Sequence, residues 1–327
     1  MELDEIVALS VKHNASDLHL CCGHFPWWRC HGQLEALDQM APVTGQQLSD
    51  FCERWLGARQ KQELTQQGQC DLAITVTGGT RLRAALFRQQ YGLSLSLRIL
   101  RAEVPSMETL GLPAICYRLA ERDNGLILVT GATGCGKSTS LAAMIGYVNT
   151  RASRHIITLE DPIEYLHHSQ RSLIQQREAG NHFPAFSEGL RAALRQDPDI
   201  IMLGELRDSQ TLRLALTAAE TGHLVLATLH TVNAAQSVER LLESAPDGDK
   251  ALVRTQLAQS LAAVISQRLI STGSPGAKQR AIFEVLVNTP AVANVIREGK
   301  THQLPGMIET GMQSGMQSFS QALRQQA

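Results

Sequence analysis

The sequence predicts an α/β protein in which a small α+β part precedes a larger domain built on a mostly parallel sheet. In the larger part, short apolar runs alternate with stretches long enough to form helices; these runs are 126–130, 155–159, 200–203 and 224–229. In residues 1–103, segments of alternating hydrophobicity are typical of antiparallel strands. Ligands of such parallel sheets bind at the carboxyl ends of the strands.

The first 103 residues open with a predicted helix over residues 3–13. Strands are predicted where apolar and polar residues alternate, at Leu18–Leu20, Trp27–Cys30, Leu72–Val76, Arg81–Phe87 and Leu93–Leu100. Because proline and glycine interrupt residues 104–113, we expect a linker there. Residues 114–272 are predicted to form the parallel-sheet domain. Residues 273–327, which follow a glycine- and proline-containing loop, are predicted to form a helical tail.

The first apolar run of the larger domain leads into Gly-Ala-Thr-Gly-Cys-Gly-Lys-Ser at 131–138, the pattern G-x-x-x-x-G-K-S. Glycines allow the backbone to curl until its N–H groups face phosphate oxygens, and the following helix directs its positive end at the anion. Lys137 is expected at the β- and γ-phosphates and Ser138 at Mg²⁺. The predicted ligands are therefore ATP and Mg²⁺. The predicted binding residues are Gly131, Ala132, Thr133, Gly134, Cys135, Gly136, Lys137, Ser138 and Thr139.

Acidic side chains and a histidine follow the other apolar runs. Glu160 and Glu164 come after 155–159, Glu205 after 200–203, and His230 directly after 224–229. A triphosphate site uses carboxylates to hold Mg²⁺ and to orient the attacking water. We therefore predict a metal site of Ser138, Glu205 and Glu160. His230 is a candidate for sensing phosphate.

Arginines are the other group that phosphoryl transfer requires, because guanidinium groups balance the charge that develops on the transferred phosphoryl oxygens. Arg195 and Arg207 are candidates in the larger domain. Arg81, Arg83 and Arg98 lie on predicted strands of the smaller one, where they suggest a face that meets an anion. That anion could be the nucleotide, reached across a domain or subunit boundary.

The composition excludes several classes of function. With a formal net charge of −1 and an isoelectric point near 6.8, the chain lacks the basic character of a nucleic-acid-binding protein, so we predict no nucleic-acid partner. The seven cysteines form no C-x-x-C pair, and we predict no zinc site. No apolar run is long enough for a membrane helix and the start does not resemble a signal peptide, so we expect a cytoplasmic protein, at most peripheral at the inner membrane.

Four segments in order resemble the Walker A, Asp box, Walker B and His box of the secretion ATPases of type II secretion and type IV pili: Gly131–Ser138, Ile156–Glu164, Leu194–Arg207 and His223–Thr231. Outside them, Ala15–Leu20, Arg29 and Arg81–Arg83 resemble the PAS-like N-terminal domain of the PilT-type retraction ATPases. Thr289–Glu298 resembles the helical tail motif of that subfamily. The resemblance covers almost the whole chain.

The resemblance implies a PAS-like α+β domain followed by a RecA-like P-loop ATPase core and a helical tail. It also implies that Glu164 is the general base, that Glu205 serves the metal and the water, and that His230 senses the γ-phosphate. Proteins of this family work as homo-hexamers that push on an inner-membrane platform protein. Two positions depart from the family pattern: Cys135 replaces a serine, and Ala293 replaces an arginine of the tail motif.

The sequence disfavours two alternatives to a retraction motor and leaves a third one open. Assembly and secretion ATPases carry an extra N-terminal domain and a four-cysteine zinc site, whereas this chain has no cysteine after Cys135. A regulatory or scaffold ring that binds nucleotide is a second possibility, although the full set of acids and Lys137 favours hydrolysis. A DNA-pumping P-loop protein would need a basic groove, which the near-neutral composition of this chain disfavours.

Overall fold

The computed structural model describes residues 3–13, 15–30, 32–76, 79–100, 103–271 and 279–324. The chain forms two compact units, Met1–Glu103 and Val104–Ala327. The first unit contains helices α1 (Leu3–Lys12), α2 (Gly45–Trp55) and α3 (Ala58–Gln67) and strands β1 (Ala15–Cys21), β2 (Trp27–Cys30), β3 (Gln33–Ala36), β4 (Gln69–Thr75), β5 (Arg81–Gln89) and β6 (Gly92–Ile99).

The six strands of the first unit form one antiparallel sheet in the order β3-β2-β1-β6-β5-β4. Alternate residues along β1, β5 and β6 point into a core that they share with the helices; examples are Leu18, Leu82 and Leu97. A capping box starts α2, because the side chains of Thr44 and Gln47 each bond to the other's backbone N–H.

The second unit contains a longer series of elements. Its helices are α4 (Ile115–Ala120), α5 (Lys137–Arg151), α6 (Phe186–Ala193), α7 (Ser209–Glu220), α8 (Ala234–Glu243), α9 (Lys250–Ser260), α10 (Pro290–Glu298), α11 (Leu304–Thr310) and α12 (Phe319–Arg324). Its strands are β7 (Gly125–Thr130), β8 (His155–Glu160), β9 (Leu173–Glu178), β10 (Ile200–Leu203), β11 (Leu224–Leu229), β12 (Leu261–Ser271) and β13 (Gln279–Val287).

These seven strands form one sheet in the order β13-β12-β7-β11-β10-β8-β9, parallel except for the β12–β13 pair. Strands β7, β10 and β11 are buried along their whole length, as expected for a parallel sheet covered on both faces. The predicted α/β class is confirmed. So are the four apolar strands, which end at a single edge of the sheet.

Two parts of the second unit differ from the sequence-based description. Met107 and Leu112, within the expected linker, are buried in a core of this unit. The predicted start of the tail at residue 273 lies outside the described residues. Gln279–Val287, which follows, is not helical but pairs with β12 over nine residues. The apolar stretch of β12 was missed because it follows α9 without a break, and a short apolar run reads equally well as buried helix or strand.

Candidate active site

The P-loop connects the buried end of β7 to the first turn of α5. Its backbone takes positive φ angles at Gly131 (147°), Gly134 (80°) and Gly136 (94°), which only glycine adopts without strain. Gly136 is the residue before a 15-residue helix, and it supplies no side-chain cap. The first N–H groups of α5 are therefore available to an anion. This geometry fits the phosphates of a nucleotide.

Lys137 is buried, and its ammonium group lies against the loop that it follows. Nζ donates to the carbonyl oxygens of Gly131 at 2.9 Å and Ala132 at 3.0 Å, and lies 3.4 Å from Nδ1 of His230. Burial lowers the pKa of Lys137, while Cys135 and the carboxylates of Glu205 and Glu164 act in the opposite direction. The cation thus lies among the predicted catalytic acids.

Glu205 occupies the centre of a charged network at the ends of β10 and β11. Its Oε1 lies 3.2 Å from Nε2 of His230, and its Oε2 accepts a hydrogen bond from Nε of Arg207 at 2.7 Å. Arg207 also reaches Asp161 after β8, with 3.3 Å between Nη1 and Oδ2. These two carboxylates raise the pKa of Arg207, the hydrogen bond to Glu205 being the larger cause. Three strand ends are therefore joined through side chains.

The acidic loop after β8 is held in place by side-chain hydrogen bonds. The carboxyl group of Glu160 is buried, where its Oε1 accepts hydrogen bonds from Thr158 at 2.6 Å and Gln176 at 3.0 Å, and it also bonds to the backbone of Glu164. Tyr165, next to Glu164, bonds through its hydroxyl to Oγ1 of Thr139 at 2.9 Å. Glu164 is thereby tethered both to β8 and to the first turn of α5.

A metal role for Glu160 conflicts with this packing, because only 7% of this residue is exposed. Ser138 and Glu205 offer the hard oxygen ligands that Mg²⁺ prefers, and both side chains are only partly buried. Within the described ranges, no group of three or more His, Cys, Asp or Glu residues is arranged to hold a metal ion. Mg²⁺ commonly completes its shell with substrate phosphates and water, so a two-residue contribution fits a nucleotide site.

The predicted arginines fall into three places. Arg207 lies in the network described above. Arg195 does not reach it: this exposed residue follows α6 and precedes β10, so it lies near the amino ends of the parallel strands, opposite to the P-loop edge. We therefore correct the prediction: Arg195 is not part of the active site of its own chain. The length of β10 separates Arg195 from Glu205.

In the first unit, Arg83 and Arg98 face each other across β5 and β6, and Arg98 is in turn the register partner of Asp17 on β1. Nε of Arg98 bonds to Oδ1 of Asp17 at 3.0 Å. Arg81 lies two residues before Arg83 on the same face of β5. A row of arginines therefore lies on one side of this sheet, opposite to its helix-covered core, and its contact with an anion stays a prediction.

Sequence reasoning missed two residues that shape the site. Tyr165 directly follows Glu164 in the chain and could have been found at the end of the acidic run after β8. Gln267 could not have been found that way, because it lies on the unpredicted strand β12. It nevertheless contacts the P-loop, since β12 is hydrogen-bonded to β7 and continues beyond Thr130.

Comparison with known proteins assigns this arrangement to a family. The sequence profile described as "Type II/IV secretion system protein" matches residues 28–323, which is most of the chain. The chain belongs to this family of secretion ATPases. Membership confirms the resemblance to the secretion ATPases that the motifs indicate.

Relatives of the family align over nearly the whole chain. The "Type IV pilus retractation ATPase PilT" of Pseudomonas aeruginosa is 42% identical over 99% of this chain and 93% of its own length. The uncharacterized protein YggR of Escherichia coli is 57% identical over 98% of this chain and 97% of its own. A crystal structure of the pilus retraction motor PilT with bound ADP superposes with a TM-score of 0.91, at 39% identity, over 99% of this chain and 92% of that one.

The secretion ATPase fold is also that of the Legionella pneumophila ATPase DotB, with a TM-score of 0.82 at 25% identity over 97% of this chain and 92% of that one. Over the part of this family member that the structure describes, no helix is both long and apolar enough to cross a membrane.

The buried Glu160 of this secretion ATPase leads to a prediction about stability. Desolvation raises its pKa to about 7, from an ordinary value of 4.5. Because the folded state holds the proton more tightly than the unfolded state, stability falls as the pH rises from 4.5 through 7. We expect the free energy of unfolding of the wild type to fall by about 2 kcal/mol relative to Glu160→Gln between pH 5 and pH 8. Urea unfolding followed by circular dichroism measures this difference; parallel curves for the two proteins would show that Glu160 does not titrate in this range.

Proposed function

We propose that this secretion ATPase hydrolyses ATP to ADP and phosphate in an Mg²⁺-dependent reaction at the P-loop edge of its second unit. The main support is the meeting of three groups there: Lys137 lies 3.4 Å from Nδ1 of His230, and Nε2 of the same ring lies 3.2 Å from Glu205. A cation, an imidazole and a carboxylate in contact at a P-loop can together bind, sense and polarise a terminal phosphate.

Each group has a separate task in this proposal. The backbone of 131–136 and Lys137 bind the phosphates, and Lys137 exchanges its carbonyl partners for phosphate oxygens when the nucleotide enters. Ser138 and Glu205 would hold Mg²⁺, which would neutralise charge on the phosphate oxygens. His230 contacts the γ-phosphate in this proposal, which is supported by its position between Glu205 and Lys137.

Glu164 is proposed as the general base that orients and deprotonates the attacking water. Its backbone bonds to the buried Glu160, and the hydroxyl of the adjacent Tyr165 bonds to Thr139, so the loop that carries it is fixed relative to α5. Its carboxylate is also close enough to Lys137 to oppose in part the lowering of that group's pKa by burial. A base held in this way needs little reorganisation before proton transfer.

Substitution of the two acids tests hydrolysis separately from binding. We expect Glu164→Gln and Glu205→Gln to bind ATP with affinity close to that of the wild type, since both carboxylates act after the nucleotide is seated. The kcat for hydrolysis should fall by roughly 10² or more, which for Glu164 is the usual contribution of a general base. Phosphate release at saturating ATP and titration with ATP measure the two quantities.

Glu309→Gln is a matched control, because Glu309 is an exposed residue of α11. It should leave both quantities unchanged. If Glu164→Gln retained more than about a tenth of the wild-type kcat, a loss below about 1.4 kcal/mol, the general-base assignment would fail. Binding without hydrolysis in the wild type itself would instead support the regulatory ring.

We further propose that the chain acts as a homo-hexameric motor in the cytoplasm, coupling hydrolysis to domain rotation against an inner-membrane platform protein. The near full-length similarity to PilT supports a retraction-type output. Ala293 of the tail motif packs against the core of the second unit through α10, which retains its amphipathic form without the usual arginine. Sedimentation with ATP and Mg²⁺ tests the hexamer, and pull-down of a platform protein from the same organism tests the coupling.

A further inference from the structure

Gln267 is a buried amide side chain of β12 that contacts the P-loop from the side of the sheet. Its Nε2 donates to the carbonyl oxygen of Cys135 at 2.6 Å, and its Oε1 accepts a hydrogen bond from the hydroxyl of Ser140 at 2.7 Å. Only 4% of the residue is exposed. One side chain therefore bridges the last part of the loop and the first turn of α5.

Two glycines of the loop pack directly on this residue. A Cβ atom on Gly131 would overlap the backbone oxygen of Gln267, and one on Gly136 would lie 2.9 Å from its Nε2. Both positions also have positive φ angles. The glycines thus allow close approach of β12 as well as the curled backbone, and the loop cannot move away from Gln267 without losing this packing.

The hydrogen bonds define which way the amide points. Because the hydroxyl of Ser140 donates to Oε1, the amide nitrogen faces the carbonyl of Cys135. In a trans peptide the carbonyl of one residue and the N–H of the next point in opposite directions. Anchoring the Cys135 carbonyl to Gln267 therefore turns the N–H of Gly136 away from β12. That is the direction required of a backbone donor in a phosphate-binding loop.

We propose that Gln267 is a positioning residue that fixes the Cys135–Gly136 peptide in its phosphate-binding orientation. The inference rests on the proposed nucleotide site, but Gln267 itself need not touch the nucleotide. Its effect should fall on groups that ATP and ADP share, because the loop surrounds the inner phosphates. In this it differs from His230, which is proposed to recognise the γ-phosphate that ADP lacks.

Gln267→Met tests the proposal, since methionine fills a similar volume without the amide. We expect the Kd values for ATP and for ADP to rise by the same factor, about tenfold, as for the loss of a buried hydrogen bond. The KM for ATP should rise with them, while kcat at saturating ATP stays within about threefold of the wild type. Ser140→Ala, which removes only the bond that orients the amide, should raise both Kd values by a smaller factor.

Asn288→Leu is the matched control. Asn288 directly follows β13, and its amide group donates to the carbonyls of Ala258 at 2.9 Å and Leu261 at 2.8 Å, at the end of β12 away from Gln267. It should lower the melting temperature without changing nucleotide affinity. If Gln267→Met behaved in the same way, or if only the affinity for ATP fell, the positioning role would be refuted. If Gln267→Met did not fold, unchanged affinities in Ser140→Ala would refute it.

The same titrations separate this inference from the proposed site. Loss of binding in Lys137→Ala together with normal binding in Gln267→Met and Ser140→Ala would refute the positioning role alone. Normal binding in Lys137→Ala would refute the nucleotide site on which the role depends.

Discussion

Lys137→Ala should abolish detectable binding of ATP, and with it hydrolysis. The ammonium group is the only charged side chain of the P-loop itself, and backbone N–H groups cannot replace a full positive charge at the β- and γ-phosphates. In the folded chain this group is buried and bonded to two loop carbonyls, so the substitution also removes the cation that lies among Glu205 and Glu164. Isothermal titration with ATP and Mg²⁺ measures the loss.

Lys300→Ala provides the control for Lys137→Ala. Lys300 is an exposed residue that pairs with Glu298 at 2.8 Å, and its removal should alter neither affinity nor turnover. A circular dichroism spectrum and a melting curve would show that Lys137→Ala is folded. Unchanged ATP affinity in a folded Lys137→Ala protein would refute the assignment of the P-loop.

The second large effect is expected from the arginines of the first unit. If Arg83 supplies positive charge to the phosphoryl group in an assembled ring, Arg83→Ala should reduce kcat by on the order of 10³ without unfolding the chain. Arg83→Lys should restore little of this activity, because an ammonium group lacks the planar fork of a guanidinium. Arg81→Ala and Arg98→Ala test the other members of the row. Steady-state hydrolysis at saturating ATP is the measurement.

Arg59→Ala is a suitable control, because Arg59 lies on α3 of the same unit and pairs only with its helical neighbour Glu63 among the ion pairs seen for the described residues. Activity per chain should also rise with protein concentration as rings form. A wild-type protein that stayed monomeric at micromolar concentration with ATP and Mg²⁺, with constant activity per chain, would contradict the ring motor and favour an isolated nucleotide switch.

The sequence alone determined those features of the site that are local in the chain. The P-loop could be identified because its strand, its glycines and the start of its helix are consecutive, and each has a physical reason for its residue type. Glu205 and His230 could be placed near it because each lies within two residues of the end of an apolar strand, and parallel strands end at a common edge. Which of these residues contact one another depends on the order of the strands in the sheet, and the apolar runs do not specify that order.

Only the tertiary structure decided what depends on pairing between distant segments. Gln267 reaches the carbonyl of Cys135, 132 residues away, because β12 lies next to β7, and neither its strand nor that neighbour was evident from the pattern. Arg195 precedes β10 by a few residues, and the direction of that strand places it at the edge away from the P-loop. The buried carboxyl group of Glu160 likewise accepts a hydrogen bond from Gln176 on the adjacent strand β9. Local sequence specifies which groups are present at a strand end, whereas strand order and direction specify which of them meet.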